Sequence, residues 1–198
     1  MSRRSEIKRE TSETKIQLTL DLDGSGKTDI STGIGFFDHM LTLLGKHANV
    51  DLAVKADGDI DVDFHHTVED VGLCLGKAML EALGDKAGIY RYGDVRLPMD
   101  ESLAAAAVDL SGRPYFHLSA HWTAERIGEF PVELVAEFWK SVATEARLSL
   151  HLDLIRSENA HHASEAIFKA AARALRVACA RDPSANGGVP STKGTLSA

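Results

Sequence analysis

A five-residue pattern that occurs twice constrains this chain more than anything else in it. His65-His66-Thr67-Val68-Glu69 returns as His161-His162-Ala163-Ser164-Glu165, offset by 96 residues at both the histidines and the glutamate. In a chain of 198 residues, such an offset implies two copies of one half-domain. Upstream of each copy stands another ligand-capable residue, His39 and then Glu137, 98 residues apart and each on an expected helix.

The flanking patterns support the duplication. Residues 4–22 alternate as strands, and Asp23-Gly24-Ser25-Gly26 reads as a hairpin turn. A short helix is expected over 38–45, a strand over 50–56 and a helix over 66–83, with Asp63 as its N-cap and Gly84 as its stop. The second part predicts strands at 103–110 and 115–120, then a helix over 131–144 opened by Pro131. A strand at 148–154 and a helix over 162–180, capped by Ser157 or Asn159, complete it. The expected order is strand, strand, helix, strand, helix, twice. The division is expected near Gly93 to Arg96, giving halves 1–94 and 95–198. They form one structural unit, because each sheet needs a partner to cover its faces.

Residues four apart share a helix face, so His65 meets Glu69 and His161 meets Glu165. Adjacent histidines point about 100° apart on a helix and fit poorly on one ion. Two doubled histidines therefore point to two ions, or to one helix feeding two sites. Imidazole with carboxylate suits manganese, iron or zinc, and the lack of thiolate favours the first two. The zinc-protease order HExxH is absent. His47, His117, His121 and His151 stand apart from any carboxylate motif and read as structural or solvated.

Composition narrows the function classes. A formal charge of −7 argues against a general nucleic-acid surface, so an anionic substrate needs a local cationic cluster. No apolar run is long enough for a membrane span, and the polar start carries no secretory signal, so a cytoplasmic protein is expected. Cys74 and Cys179 lie in apolar helical patterns without metal or redox spacing. Asp21-Leu22-Asp23-Gly24-Ser25-Gly26 resembles the start of an EF-hand loop, but Thr32 takes the twelfth position where a bidentate glutamate is needed. The same Asp-Leu-Asp-Gly stretch echoes an aspartyl phosphatase nucleophile, in a region without the required crossover.

Four longer motifs carry a resemblance that runs nearly end to end. They are Ser31-Thr32-Gly33-Ile34-Gly35-Phe36-Phe37-Asp38-His39-Met40-Leu41, Asp63-Phe64-His65-His66-Thr67-Val68-Glu69-Asp70, Asp109-Leu110-Ser111-Gly112-Arg113-Pro114-Tyr115, and Glu158-Asn159-Ala160-His161-His162 leading into Phe168-Lys169-Ala170. With them the chain resembles the imidazoleglycerol-phosphate dehydratase family of histidine biosynthesis. The resemblance implies an α/β (α+β two-layer) fold of tandem duplicated half-domains, ribosomal protein S5 domain 2-like, each a four-stranded sheet with two helices. It implies a homo-oligomer of about 24 subunits built from trimers, with metal sites at subunit interfaces. It also implies two Mn2+ per active site, one held by His39, His66, Glu69 and His162, the other by His65, Glu137, His161 and Glu165. Many members carry histidine at the position of Glu137 and glutamine at that of Leu43.

The implied reaction turns imidazoleglycerol phosphate into imidazoleacetol phosphate and water. The proton to be lost sits on a carbon with no adjacent carbonyl. The anionic imidazole ring, favoured by divalent ions, can instead expel the hydroxyl. Loss of the neighbouring C–H proton then gives an enol that tautomerises to the ketone. Glu165 is expected as the proton-transferring base and Glu13 as a second acid/base or hydroxyl-binding group. Arg91, Arg113, Lys169, Ser191 and Lys193 are expected on the phosphate. The competing readings are a dinuclear metallohydrolase of phosphoesters and an assembly protein that uses ions only to join subunits.

Overall fold

A computed structural model describes residues 3–196. The first half runs β1 (Arg4–Glu10), β2 (Thr14–Asp21), β3 (Thr28–Ser31), α1 (Gly35–Ala48), β4 (Asp51–Gly58) and α2 (His65–Leu83). The second runs β5 (Tyr92–Met99), β6 (Ser102–Asp109), β7 (Tyr115–Ser119), the short ladder β8 (Arg126–Ile127) and β9 (Phe130–Pro131), α3 (Leu134–Glu145), β10 (Ser149–Arg156) and α4 (Ala160–Cys179). The sheets have orders β1-β2-β4-β3 and β5-β6-β10-β7, with β3 parallel to β4 and β7 parallel to β10. The two halves therefore share one topology. No helix among the described residues is long and apolar enough to cross a membrane.

Each four-stranded sheet holds one strand more than the periodicity implied, and the short β8–β9 ladder was not expected either. β3 has four residues, too few for an alternation to register. β5 contains Gly93 and Pro98, which read as punctuation in the sequence. It is an edge strand, where proline costs no ladder bond on the open side. All of β5 pairs with β6, so the division between residues 94 and 95 passes through a strand of the second sheet. The turn at Asp23–Gly26 is not a hairpin, because β2 pairs with β1 and β4 while the chain crosses to β3 on the far side of β4. Asp51 holds that crossing, its Oδ1 accepting from the Ser25 and Lys27 amides at 2.7 and 2.9 Å. Pro131 lies in β9, and α3 begins at Leu134.

The helices of one half pack on those of the other, α1 on α4 and α2 on α3. Phe37, Phe138, Trp139 and Phe168 are buried where they meet, with Phe37 edge-on to Phe138 at 5.4 Å and Phe138 stacked on Phe168 at 5.3 Å. One continuous core results, to which both sheets contribute their inner faces. α2 and α3 approach closely in parallel register: a Cβ on Gly72 would stand 2.8 Å from the Phe138 carbonyl oxygen, and one on Gly76 would stand 2.6 Å from that of Val142. Gly76→Val should therefore force the helices apart at a cost of about 1–3 kcal/mol. Thermal unfolding would show it as a fall in midpoint of roughly 2–4 °C per kcal/mol. An unchanged midpoint would show that the contact is not as tight as described.

Candidate active site

Both doubled motifs sit in the first turn of a helix, where capping fixes them. The Asn159 side chain accepts from the His161 and His162 amides at 2.8 and 3.3 Å at the start of α4. Asp63 does the same for the His65 amide at 2.7 Å, one residue ahead of the α2 boundary. The start of α1 is tied down by Asp38, whose Oδ1 accepts from the Thr32 hydroxyl at 2.6 Å and its amide at 2.9 Å. His39 follows directly.

The packing of α1 on α4 brings His39 to His161 and Glu165. Glu165 Oε1 lies 2.9 Å from His39 Nε2 and 3.0 Å from His161 Nε2. The three ligand atoms lie within 4.8 Å of one another, and no other such group of three occurs among the described residues. The imidazoles are open, with 46% and 43% of their side chains exposed, over a carboxylate only 9% exposed. On the buried side Lys169 donates to Glu165 Oε2 at 2.6 Å. Burial alone would raise the Glu165 carboxyl, but hydrogen bonds from Lys169, His39 and His161 outweigh it and hold it at about 2.

Within one chain, His39 meets His161 and Glu165, while the resemblance sets it with His66, Glu69 and His162 across subunit boundaries. Phe138 of α3 packs at Gly72 of α2, and its neighbour Glu137 accepts from Lys140 Nζ at 3.2 Å. At the start of α2, His65 Nε2 stands 4.0 Å from Glu69 Oε2.

His66 and His162 point elsewhere. His66 Nδ1 donates to Asp59 Oδ2 at 2.9 Å, and His162 Nδ1 donates to Glu101 Oε2 at 2.8 Å. These carboxylates raise the pKa of each imidazole, and Glu101 itself is held down to about 2, chiefly by His162. Neither Asp59 nor Glu101 was singled out from the sequence, since no spacing links them to the motifs. Glu13 lies beside His66, its Oε2 4.0 Å from Nδ1.

The five phosphate candidates divide. Lys169 is at the Glu165 cluster. Arg91 lies at the other end of α4, its amide donating to the Ala178 carbonyl at 3.0 Å. Its guanidinium donates to both oxygens of Asp109, at 2.7 and 3.2 Å, and to the Pro190 carbonyl at 2.8 Å. That last bond ties down the segment bearing Ser191 and Lys193. The exposed Arg113 follows Leu110, whose amide donates to the Arg91 carbonyl at 3.1 Å. Thirteen residues of α4 separate Glu165 from Ala178, about 20 Å at 1.5 Å per residue. Leu43 packs against the core. His117 and His151 are neighbours on the second sheet, ring centroids 6.1 Å apart, and join no carboxylate cluster.

Comparison with known proteins agrees with this geometry. The family model described as imidazoleglycerol-phosphate dehydratase matches residues 32–175. The chain is 55% identical over 194 residues to the imidazoleglycerol-phosphate dehydratase of Xanthobacter autotrophicus, covering 98% of each chain. It is 56% identical over 196 residues to that of Acidiphilium cryptum, covering 99% of this chain and 100% of the relative. The crystal structure of the Staphylococcus aureus enzyme superposes with a TM-score of 0.83 at 42% identity, over 90% of this chain and 98% of that one. The Pyrococcus furiosus enzyme in complex with (S)-C348 gives 0.82 at 35%, over 96% and 99%. The chain belongs to the imidazoleglycerol-phosphate dehydratase family.

Proposed function

We propose that this dehydratase works at a two-metal site of which one chain builds only separate halves, so that the active protein is a homo-oligomer. The observation that carries this is the convergence of His39, His161 and Glu165 on an open face. Two imidazole nitrogens and a buried carboxylate fit a divalent ion of intermediate hardness, and we assign manganese. The second ion would take His65, Glu69 and Glu137. His66 and His162, turned away from both clusters in their own chain, would complete the sites of neighbouring copies. The reading extends to a 24-subunit shell of trimers and to a cytoplasmic enzyme.

The phosphate cations support the sharing. Arg113, Ser191 and Lys193 follow segments bonded to Arg91, which sits at Ala178, about 20 Å from Glu165 along α4 and beyond the reach of a three-carbon phosphate chain. They would therefore bind the phosphate of a substrate whose ring sits in another copy's metal site. Arg91, saturated by Asp109 and Pro190, would hold the tail in place for them.

The bound ions would supply Lewis acidity that favours the anionic form of the substrate's imidazole. The chain's own groups move the protons. Glu165, buried and paired with Lys169, would act as an anionic ligand. Glu13 has no lysine or arginine partner among the described residues and is half exposed beside His66. We therefore assign the base to Glu13: it takes the C–H proton, the hydroxyl leaves as water after protonation, and the enol becomes the ketone.

Glu13→Gln should keep its metal and oligomeric mass while kcat falls about 10²–10⁴-fold. Glu165→Gln should instead lose metal, read by elemental analysis. Near-normal turnover of the first variant would refute its role. Chelation should abolish turnover of imidazoleglycerol phosphate and manganese should restore it. An enzyme that stays dead when manganese is returned would sink the two-metal reading.

A further inference from the structure

We infer that Asp59 and Glu101 are positioning residues that aim His66 and His162 out of the chain as ready-made ligands, an inference that rests on the two-metal reading above. The argument begins with chemistry. An ionised carboxylate only accepts hydrogen bonds, so the imidazole nitrogen facing it must carry the proton. Asp59 Oδ2 faces His66 Nδ1 at 2.9 Å and Glu101 Oε2 faces His162 Nδ1 at 2.8 Å. In the neutral ring the lone pair is then left on Nε2. Neither Nε2 meets a hydrogen-bond partner among the described residues.

The arrangement occurs once in each half, yet from unrelated places. Asp59 follows β4, seven residues before His66, and Glu101 lies in the turn between β5 and β6, sixty-one residues before His162. Duplication alone does not account for that, because the two carboxylates do not occupy equivalent positions in the two halves. The same orientation is reached twice by different means.

Each carboxylate is itself held. The Ser102 hydroxyl donates to Glu101 Oε1 at 3.1 Å and lies 2.7 Å from the Ser157 hydroxyl. Ser157 accepts from the amide of Asn159, the residue that caps the turn carrying His162. The Asp59 amide donates to the Glu13 carbonyl at 3.1 Å, which ties this carboxylate to the loop bearing the proposed base. Asp59 Oδ1 is buried without a partner. Burial of half a carboxylate is costly, and orientation of His66 through the other oxygen gives it a use.

The test is a manganese titration of the full chain, followed by the electron paramagnetic resonance of free Mn2+, with circular dichroism and light scattering on each variant. Glu101→Ala should weaken the site completed by His162 about 10–100-fold and spare the other. Asp59→Ala should do the reverse for the site completed by His66. Glu101→Gln and Asp59→Asn keep an oxygen acceptor and should bind closer to the parent. Selective loss of one site per variant, with secondary structure kept, is an effect that general destabilisation would not produce. Alanine variants that bind as the parent does at both sites overturn the inference alone, as do amide variants no better than alanine. A parent with no manganese sites overturns the two-metal reading and this inference together.

Discussion

The parallel packing of α1 on α4 and of α2 on α3 is the contact on which the rest depends. Each pair joins one helix from either half, and each begins with a ligand-capable first turn. Because the helices run in the same direction, their N-termini arrive together, and His39 reaches His161 and Glu165. Antiparallel packing would have put those side chains at opposite ends. The aromatic cluster of Phe37, Phe138, Trp139 and Phe168 and the glycine contacts of α2 fix the register. The same packing makes the two halves inseparable, since their apolar helix faces cover one another.

The two doubled motifs differ in the charges around them. At the α1–α4 end a buried carboxylate is balanced by Lys169 on one side and by two imidazoles on the other. Burial of an unpaired charge there would cost several kcal/mol, so the lysine belongs to the construction of the site. At the counterpart positions Glu69 pairs with His65 and Glu137 with the exposed Lys140, a contact screened by solvent.

Much of this was legible before the fold was known. The 96-residue offset gave the duplication, the i,i+4 spacing gave the His–Glu neighbours, and the angle between adjacent histidines turned them apart, His161 to Glu165 and His162 to Glu101. The Asn159 cap was legible too, whereas the N-cap of α2 is Phe64, and Asp63, expected there, accepts from the His65 amide one residue ahead of it. β3 was too short to register, and β5 was hidden by the residues that an edge strand tolerates. Asp59, Glu101 and the role of Arg91 depend on contacts between segments that no local pattern connects.

The sequence by itself determined which residues could be ligands, that they come in two sets, and the family that bears them. These are matters of side-chain chemistry and helical period, both local. Only the tertiary structure decided which histidine joins which glutamate, because the partner of α1 is fixed by core packing over more than a hundred residues. It also decided that the buried Glu165 carboxylate is held by Lys169 from behind. And it tied the segment after Pro190 to Arg91, at the far end of α4 from Glu165.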